Sequence, residues 1–418
     1  MITSIKKMNL DFKNSHTTYS THGFHTYPAK MIPQVAKVLL DEFGKNSKLL
    51  FDPYCGSGTS LVEANLHGVN AIGTDLNPLA RLIAKTKTTA IEIQTLDLHL
   101  KDFYNFLFKY RFGFTTNDDS IILPSFQNID FWFSRAVKKD LAVVKSYVDS
   151  IQNEEIKQFF QLAFSQTIRE CSWTRKNEFK LYKMSRERIK IFKPDTFSTF
   201  EKTLGKNRNG LEEFNTKVTK AVNTSVYSFD SSRYIPKRIV QDESVDIVVT
   251  SPPYGDSSTT VAYGQFSALA NQWLGFMETG RSLDKQLMGG KKASRLHTFQ
   301  SDTLNDQLRE IESIDRSRTL EVVSFYKDYF ASIKNVSEKV KPKGFVCYVV
   351  SNRTVRGIRL KTEQITKDFF ETRGFNHIET LSRIISNKRL PKANSSIGKK
   401  GNKTSLMNTE SVVIMQKI

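Results

Sequence analysis

Cysteine is scarce in this chain: 418 residues carry three, Cys55, Cys171 and Cys347, far apart and in no Cys-x-x-Cys pair. That spacing builds no disulfide framework and fits a reducing cytosol. Clusters of metal ligands are missing too, since His22 and His25 stand close together without a cysteine or carboxylate at ligand spacing. No metal site is expected. There is no apolar run of the roughly 18 residues that a membrane span needs, and the opening MITSIKKMNLDFKN has no continuous apolar core of a secretory signal. The expectation is therefore a soluble, cytoplasmic protein without membrane attachment. Acidic residues are in deficit: 43 Asp and Glu stand against 62 Lys and Arg, leaving a net charge of +19. Such a surplus favours a polyanionic partner, nucleic acid before an anionic membrane surface.

What is present is organised by pattern. Residues 31 to 43, MIPQVAKVLLDEF, put Ile32, Val35, Val38, Leu39 and Phe43 at helical spacing, with Pro33 tolerable in a first turn. Residues 48 to 80 then read as strand, glycine loop, helix and strand: LLF, DPYCGSGT, SLVEANLHG and NAIGTD. One βαβ unit of this kind implies a doubly wound, mostly parallel sheet.

The loop carries chemistry. Gly56 and Gly58 let the backbone turn sharply and approach a ligand where a Cβ would clash, and the helix starting near Thr59 offers free N–H groups. Asp52 ends the first strand and Asp75 the second, where a carboxylate accepts ribose hydroxyls. The three-glycine fingerprint for a pyrophosphate is lacking, which disfavours a nicotinamide dinucleotide. A ligand with a ribose, no pyrophosphate and a positive charge suits the loop, and S-adenosyl-L-methionine is such a ligand, with Asp52 placed to hold its amino group. The plain alternative is a strand-turn-helix whose glycines only make the turn.

A second stretch, TSPPYGD at 250 to 256, follows the strand-like run SVDIVV at 244 to 249. Pro252 and Pro253 lack N–H groups, so the loop keeps its carbonyl acceptors and loses two donors. Ser251, held extended by the proline after it, adds a hydroxyl. Together they offer acceptors to both hydrogens of an exocyclic amine on a base, which localises the nitrogen lone pair for in-line attack on a methyl sulfonium. Tyr254 offers a flat face on which a flipped base can stack. The competing reading is a Pro-Pro turn that merely ends a core strand.

DPYCGSGT at 52 to 59, GTDLNPLA at 73 to 80 and TSPPYGD at 250 to 256 resemble the motifs of the DNA amino-methyltransferases, the restriction-modification type that methylates N4 of cytosine or N6 of adenine. The resemblance implies a Rossmann-like class I S-adenosylmethionine-dependent fold, an α/β sheet that closes with a C-terminal antiparallel hairpin formed by HIETLSRIISNKRLP and TESVVIMQKI. It makes Ser251, Pro252, Pro253 and Tyr254 the catalytic tetrad, with the serine form pointing to cytosine N4 and adenine N6 as the alternative. HTYPAKMIP at 25 to 33 is similar to the family's N-terminal segment, and VYSFDSS at 226 to 232 to the acidic end of the strand before the catalytic one. Tyr27, Asp52, Pro53, Cys55, Gly56, Gly58, Thr59, Asp75, Leu76 and Asp230 are thereby the expected cofactor contacts. Double-stranded DNA is the implied substrate, and a cognate restriction endonuclease on a separate chain the implied companion.

The two motifs lie further apart than the roughly 60 to 90 residues that two further βα units need. The expected organisation is therefore 1–90 for the N-terminal helix and cofactor half, 91–220 for an inserted target-recognition region, and 221–418 for the catalytic half with a polar insert near 278–318. Within the first insert, Ile156, Phe159, Phe160 and Ala163 share a helical face and should form core. Arg175, Lys176, Lys180, Lys183, Arg186 and Arg188 interleave with Trp173, Phe179, Tyr182 and Phe192, the composition of a DNA-gripping surface. LMGGKKASRLH in the polar insert, with Gly289, Gly290, Lys291 and Lys292, reads as a mobile loop that clamps the substrate or as a plain surface loop. AYGQFSALANQWLG, beginning near Tyr263, reads as a helix with Phe266, Leu269, Ala270 and Trp273 inward. The lysines and arginines of SNKRLPKANSSIGKKGNK, 386 to 403, are placed to touch the DNA backbone.

Rival readings are limited by other absences. No Pro-Cys pair supplies the thiolate nucleophile of a cytosine C5 enzyme. An RNA guanine-N2 methyltransferase shares the style of both loops, although an aspartate in place of Ser251 and an RNA-binding domain ahead of the glycine loop would be usual. EIK at 155 to 157 and EFK at 178 to 180 echo a metal nuclease, but Pro194-Asp195 follows them rather than preceding them. A catalytically silent DNA-binding module remains the non-enzymatic alternative.

Overall fold

Strand-forming apolar runs bury both faces of a central sheet. In this computed structural model the described residues are 10–114, 121–176, 178–219, 221–256, 260–277, 280–385, 394–395, 403–404 and 409–418. The N-terminal helix, α1 (Pro33–Phe43), starts on Pro33, whose missing N–H costs nothing in a first turn, and buries Val35, Ala36, Leu39 and Leu40. The βαβ unit follows as β1 (Leu49–Asp52), α2 (Thr59–Leu66) and β2 (Asn70–Thr74), then α3 (Pro78–Thr88). Asn77 caps α3 by accepting from the Leu79 N–H at 3.1 Å.

Between α3 and the next strand comes the long insert, which is mainly helical among the described residues: α4 (Ile93–Arg111), α5 (Ile129–Trp132), α6 (Arg135–Ser150), α7 (Glu154–Cys171), α8 (Arg186–Ile191) and α9 (Thr196–Lys217). Ile156, Phe159, Phe160 and Ala163 are fully buried, as the helical face predicted. Each such phenylalanine is worth roughly 1.5–3 kcal/mol of burial. The insert does not form a core of its own. Its apolar side chains join Leu79, Ala80 and Ile83 of α3 in one cluster that also takes Phe266 and Trp273 from a helix of the catalytic half.

The catalytic half runs β3 (Thr224–Tyr227), β4 (Val245–Thr250), α10 (Tyr263–Trp273), α11 (Gly280–Asp284), α12 (Asp302–Ile314), α13 (Arg316–Lys339) and β5 (Val340–Val350). A short ribbon, β6 (Arg353–Val355) with β7 (Ile358–Leu360), precedes α14 (Thr362–Glu371) and β8 (Phe375–Ile384). A two-residue ladder, β9 (Asn394–Ser395) with β10 (Lys403–Thr404), leads to β11 (Thr409–Lys417). Within the polar insert near 278–318, α12 packs Leu304, Leu308 and Ile311 beneath the catalytic half. Its alternating charge hid an amphipathic helix.

The seven strands lie in the order β3-β2-β1-β4-β5-β11-β8. Neighbours are parallel from β3 to β5, while β11 runs antiparallel to both β5 and β8, which is the closing hairpin expected. The order reverses beside β1, so the carboxyl ends of β1 and β4 flank the switch point where α/β sheets open a ligand crevice. This is the Rossmann-like class I methyltransferase architecture. Asp52 closes β1, and Ser251 is the first residue after β4.

Candidate active site

A cleft of about 950 Å³, counted out to its open mouth, lies over that switch point. The glycine loop, the loop after β2, the turn after β3 and the Pro-Pro loop all reach it, so segments far apart in sequence converge. Of the expected cofactor contacts, Tyr27, Asp52, Pro53, Cys55, Gly56, Thr59, Asp75, Leu76 and Asp230 line it. Gly58 sits just behind. With φ at +75°, it adopts the left-handed backbone that favours glycine, and a Cβ there would lie 2.9 Å from the Cα of Ala84 on α3. That close approach is what tucks the loop against the sheet.

The acidic side chains of the cleft are held by the chain's own donors. Asp52 accepts from the Thr250 hydroxyl at 2.6 Å, from the Tyr54 N–H at 3.0 Å and from the Ser60 hydroxyl. Asp75 accepts from the N–H groups of Asn77 at 2.7 Å and Gly56 at 3.1 Å. Burial pushes both carboxyls up from the ordinary 3.8 to about 6, against the opposing pull of these hydrogen bonds. Among the described residues neither forms an ion pair. Arg81 lies near Asp75 but gives its guanidinium to the carbonyls of Asp75 and Leu76, and Lys30, in the same wall, donates to the His25 carbonyl at 2.9 Å. Asp230 is more open, accepting from the Ser232 N–H and hydroxyl at 2.9 and 2.7 Å.

Tyr27 stacks on Tyr263 with centroids 5.9 Å apart and accepts from the Asn77 side chain at 3.0 Å. Both rings face the cleft. Leu287 and Met288, from the segment read as a substrate clamp or a surface loop, form the opposite wall. That segment is pinned, with the Gly289 N–H donating to Asp328 at 2.9 Å and the Ser324 hydroxyl to the Lys291 carbonyl.

In the Pro-Pro loop, Ser251 and Pro253 enter the cleft wall, and Pro252 is buried behind them. Tyr254 is half-buried, and its hydroxyl turns toward the terminal hairpin, donating to Glu410 on β11 at 2.9 Å and lying 3.2 Å from the Ser251 hydroxyl. Sequence reasoning missed Glu410, Thr250 and Asn77. Thr250 adjoins the motif and Asn77 lies in GTDLNPLA, so both carried a local signal, whereas nothing near Glu410 announces its contact.

The basic stretch forms a hairpin-like excursion from the end of α7. An antiparallel bridge joins Thr174 to Lys183, and the N–H of Met184 donates to Trp173 at 2.8 Å. The excursion touches the catalytic half, since the Leu181 N–H reaches Gln265 of α10 and Arg169 lies over the Phe266 ring, 4.0 Å from its centroid. Arg175, Arg186 and Arg188 are exposed, and Lys183 stands over the rings of Phe131 and Trp173 at 3.9 and 4.8 Å. Burial raises the proton affinity of Asp284, and Lys180 lies close enough to oppose that rise. Lys176 differs from the other cations. It turns inward to the carbonyls of Arg169 and Ser172 at the end of α7, and burial lowers its ammonium to about 8, so it caps a helix instead of presenting charge to solvent.

Asp195 of the nuclease-like echo caps α9 through the Ser198 N–H at 3.0 Å. His22 is buried against Glu63 at 2.7 Å. Among the described residues no group of three or more His, Cys, Asp or Glu could hold a metal, and no helix is long and apolar enough to cross a membrane. Most of SNKRLPKANSSIGKKGNK lies outside the described residues.

Comparison with known proteins agrees with this geometry. Residues 6–86 match the DNA methylase family of N6 and N4 enzymes. The chain is 38% identical to the type II methyltransferase M.MvaI of Kocuria varians, across 98% of this chain and 95% of that one. It is 31% identical to the type II methyltransferase M.MjaII of Methanocaldococcus jannaschii over 35% of this chain and 28% of the relative. A tRNA (guanine(10)-N2)-dimethyltransferase of Methanothermobacter thermautotrophicus is 38% identical over 52 residues, 12% of this chain and 16% of that one. Fold and cleft define a class I methyltransferase. More particularly, the chain belongs to the DNA amino-methyltransferases of the restriction-modification type. Methyltransferases of this family and fold take the methyl group from S-adenosylmethionine. The cleft fits that donor: Asp52, buried, and Asp75, half-buried, are carboxylates without ion pairs in a chain of net charge +19, and they lack the positive charge that an amino group and a sulfonium carry.

Proposed function

We propose that the protein transfers a methyl group to the exocyclic N4 of cytosine in a specific sequence of double-stranded DNA. The observation that carries this reading is the convergence of Ser251 and Pro253 with Asp52 and Asp75 in one cleft at the sheet's switch point. S-adenosylmethionine supplies an electrophilic methyl group there. Asp52 and the glycine loop hold the amino-acid end, Asp75 the ribose hydroxyls, and Asp230 the amine of the adenine ring. Ser251 and the carbonyls of the Pro-Pro loop accept hydrogen bonds from the base's amine. This turns its lone pair out of conjugation, and a flipped base is needed to reach them.

The serine that opens the tetrad favours cytosine over adenine. Exposed Arg175, Arg186 and Arg188, with Lys180 and Lys183, grip the duplex beside the cleft, close to α10. The enzyme works in the cytoplasm, opposite a separate endonuclease that cleaves the same sequence when unmethylated. Ser251→Ala tests the site: calorimetry should show cofactor binding within about twofold of wild type, while methyl transfer to DNA falls at least about 100-fold. Loss of cofactor binding would make the loop structural.

A further inference from the structure

The hydroxyl of Ser251 is the first link of a hydrogen-bonded chain whose direction the chemistry of its members fixes. Arg383 of β8 donates to one oxygen of Glu410 at 2.5 Å, and its Nε donates to the Leu10 carbonyl at 3.1 Å. The other Glu410 oxygen stands 2.9 Å from the Tyr254 hydroxyl. An ionised carboxylate only accepts, so Tyr254 spends its single hydrogen on Glu410. Toward Ser251, 3.2 Å away, Tyr254 therefore has only lone pairs, and the serine must be the donor. Ser251 has one hydrogen as well, so what it presents to the cleft is acceptor alone. The distance is long for two hydroxyls, as hydrogen bonds of catalytic groups commonly are before substrate binds.

We propose that Glu410 is the terminal proton acceptor of the methylation, acting as a positioning residue through Tyr254 and Ser251. The inference rests on the reading of the site given above. As the N–C bond forms and the S–C bond breaks, its electron pair staying on sulfur, the amine nitrogen becomes cationic and strongly acidic. One N–H proton passes to the Ser251 oxygen, the serine's hydrogen passes to Tyr254, and the tyrosine's hydrogen passes to Glu410. A protonated serine is far too acidic to persist, so a serine that takes this proton must hand its own on. Glu410 ends neutral beside Arg383. Its side chain is 14% exposed, against 5% for Arg383, which lets the proton leave to water.

The test compares Glu410→Gln, Tyr254→Phe and the double variant in single-turnover methyl transfer to plasmid DNA, with cofactor affinity measured by calorimetry and thermal unfolding followed in parallel. Each single variant should bind cofactor within about twofold of wild type and transfer at least about 100-fold more slowly, the size expected of general-base assistance. The double variant should be no slower than the slower single, because both break one chain. Wild-type rates in Glu410→Gln, or losses that multiply in the double variant, overturn the relay. Should Glu410→Gln fail to bind cofactor, Tyr254→Phe decides alone, since it leaves the Glu410–Arg383 pair intact. A wild-type protein that methylates no DNA defeats the functional reading itself, which is a different result from an active wild type matched by Glu410→Gln.

Discussion

Asp52→Asn should stabilise the ligand-free protein while weakening its hold on the cofactor. The carboxyl is buried, and its affinity for protons is raised from the ordinary 3.8 to about 6 because burial disfavours the charged form. A folded value above the unfolded one means that full stability is present below about pH 4 and is lost as pH rises to about 6. At about 1.4 kcal/mol per unit, the native state at pH 7.5 carries a cost of roughly 3 kcal/mol for keeping this group ionised. Asparagine removes the charge and keeps the partners: its oxygen accepts from Thr250 and the Tyr54 N–H, and its amide donates to a Ser60 hydroxyl that has rotated. Scanning calorimetry at pH 7.5 should therefore place the variant's Tm roughly 2–5 °C above wild type. The gap should close as pH is lowered from about 6 toward 4. Cofactor affinity, measured at pH 7.5, should fall about 10- to 100-fold with loss of a charged hydrogen bond. A variant less stable than wild type at pH 7.5, or a gap that ignores pH, would refute the claim that the site stores an uncompensated charge for its ligand.

Gly58→Ala should destabilise the fold by about 1–2 kcal/mol from the left-handed backbone alone, and by more because the new methyl meets Ala84. Denaturant unfolding reads the loss, and a cofactor KM raised with it would show the displaced loop. Arg186→Ala with Arg188→Ala should leave cofactor binding intact and weaken DNA binding, lowering the slope of log affinity against log salt by about 0.9 for each phosphate contact removed. An unchanged slope would remove α8 from the DNA surface.

The cofactor half was legible because its signals are local. A strand ends on Asp52, two glycines turn, and a helix starts at Thr59, all within a stretch short enough for spacing to speak. The Pro-Pro loop was legible for the same reason, and the hairpin of β8 and β11 through the resemblance of its two segments to the family's closing strands. What was not legible depended on partners distant in sequence. Tyr254 was read as an aromatic face, and nothing local announced that its hydroxyl would meet Glu410 from the last strand. Lys176 looked like any other cation in a basic run until the end of α7 proved to need a donor. The insert was legible as helical core but not as part of the same core as α3 and α10, because a hydrophobic face does not name what it packs against. Met288 reached the cleft from a segment whose polar composition left a substrate clamp and a plain surface loop as alternatives.

The central claim is the identity of the methylated atom. Unmethylated plasmid DNA incubated with the protein and isotopically labelled S-adenosylmethionine, then digested to nucleosides and analysed by mass spectrometry, should yield labelled N4-methylcytosine. Label appearing instead as N6-methyladenine, or in no deoxynucleoside while the protein binds its cofactor, would contradict it.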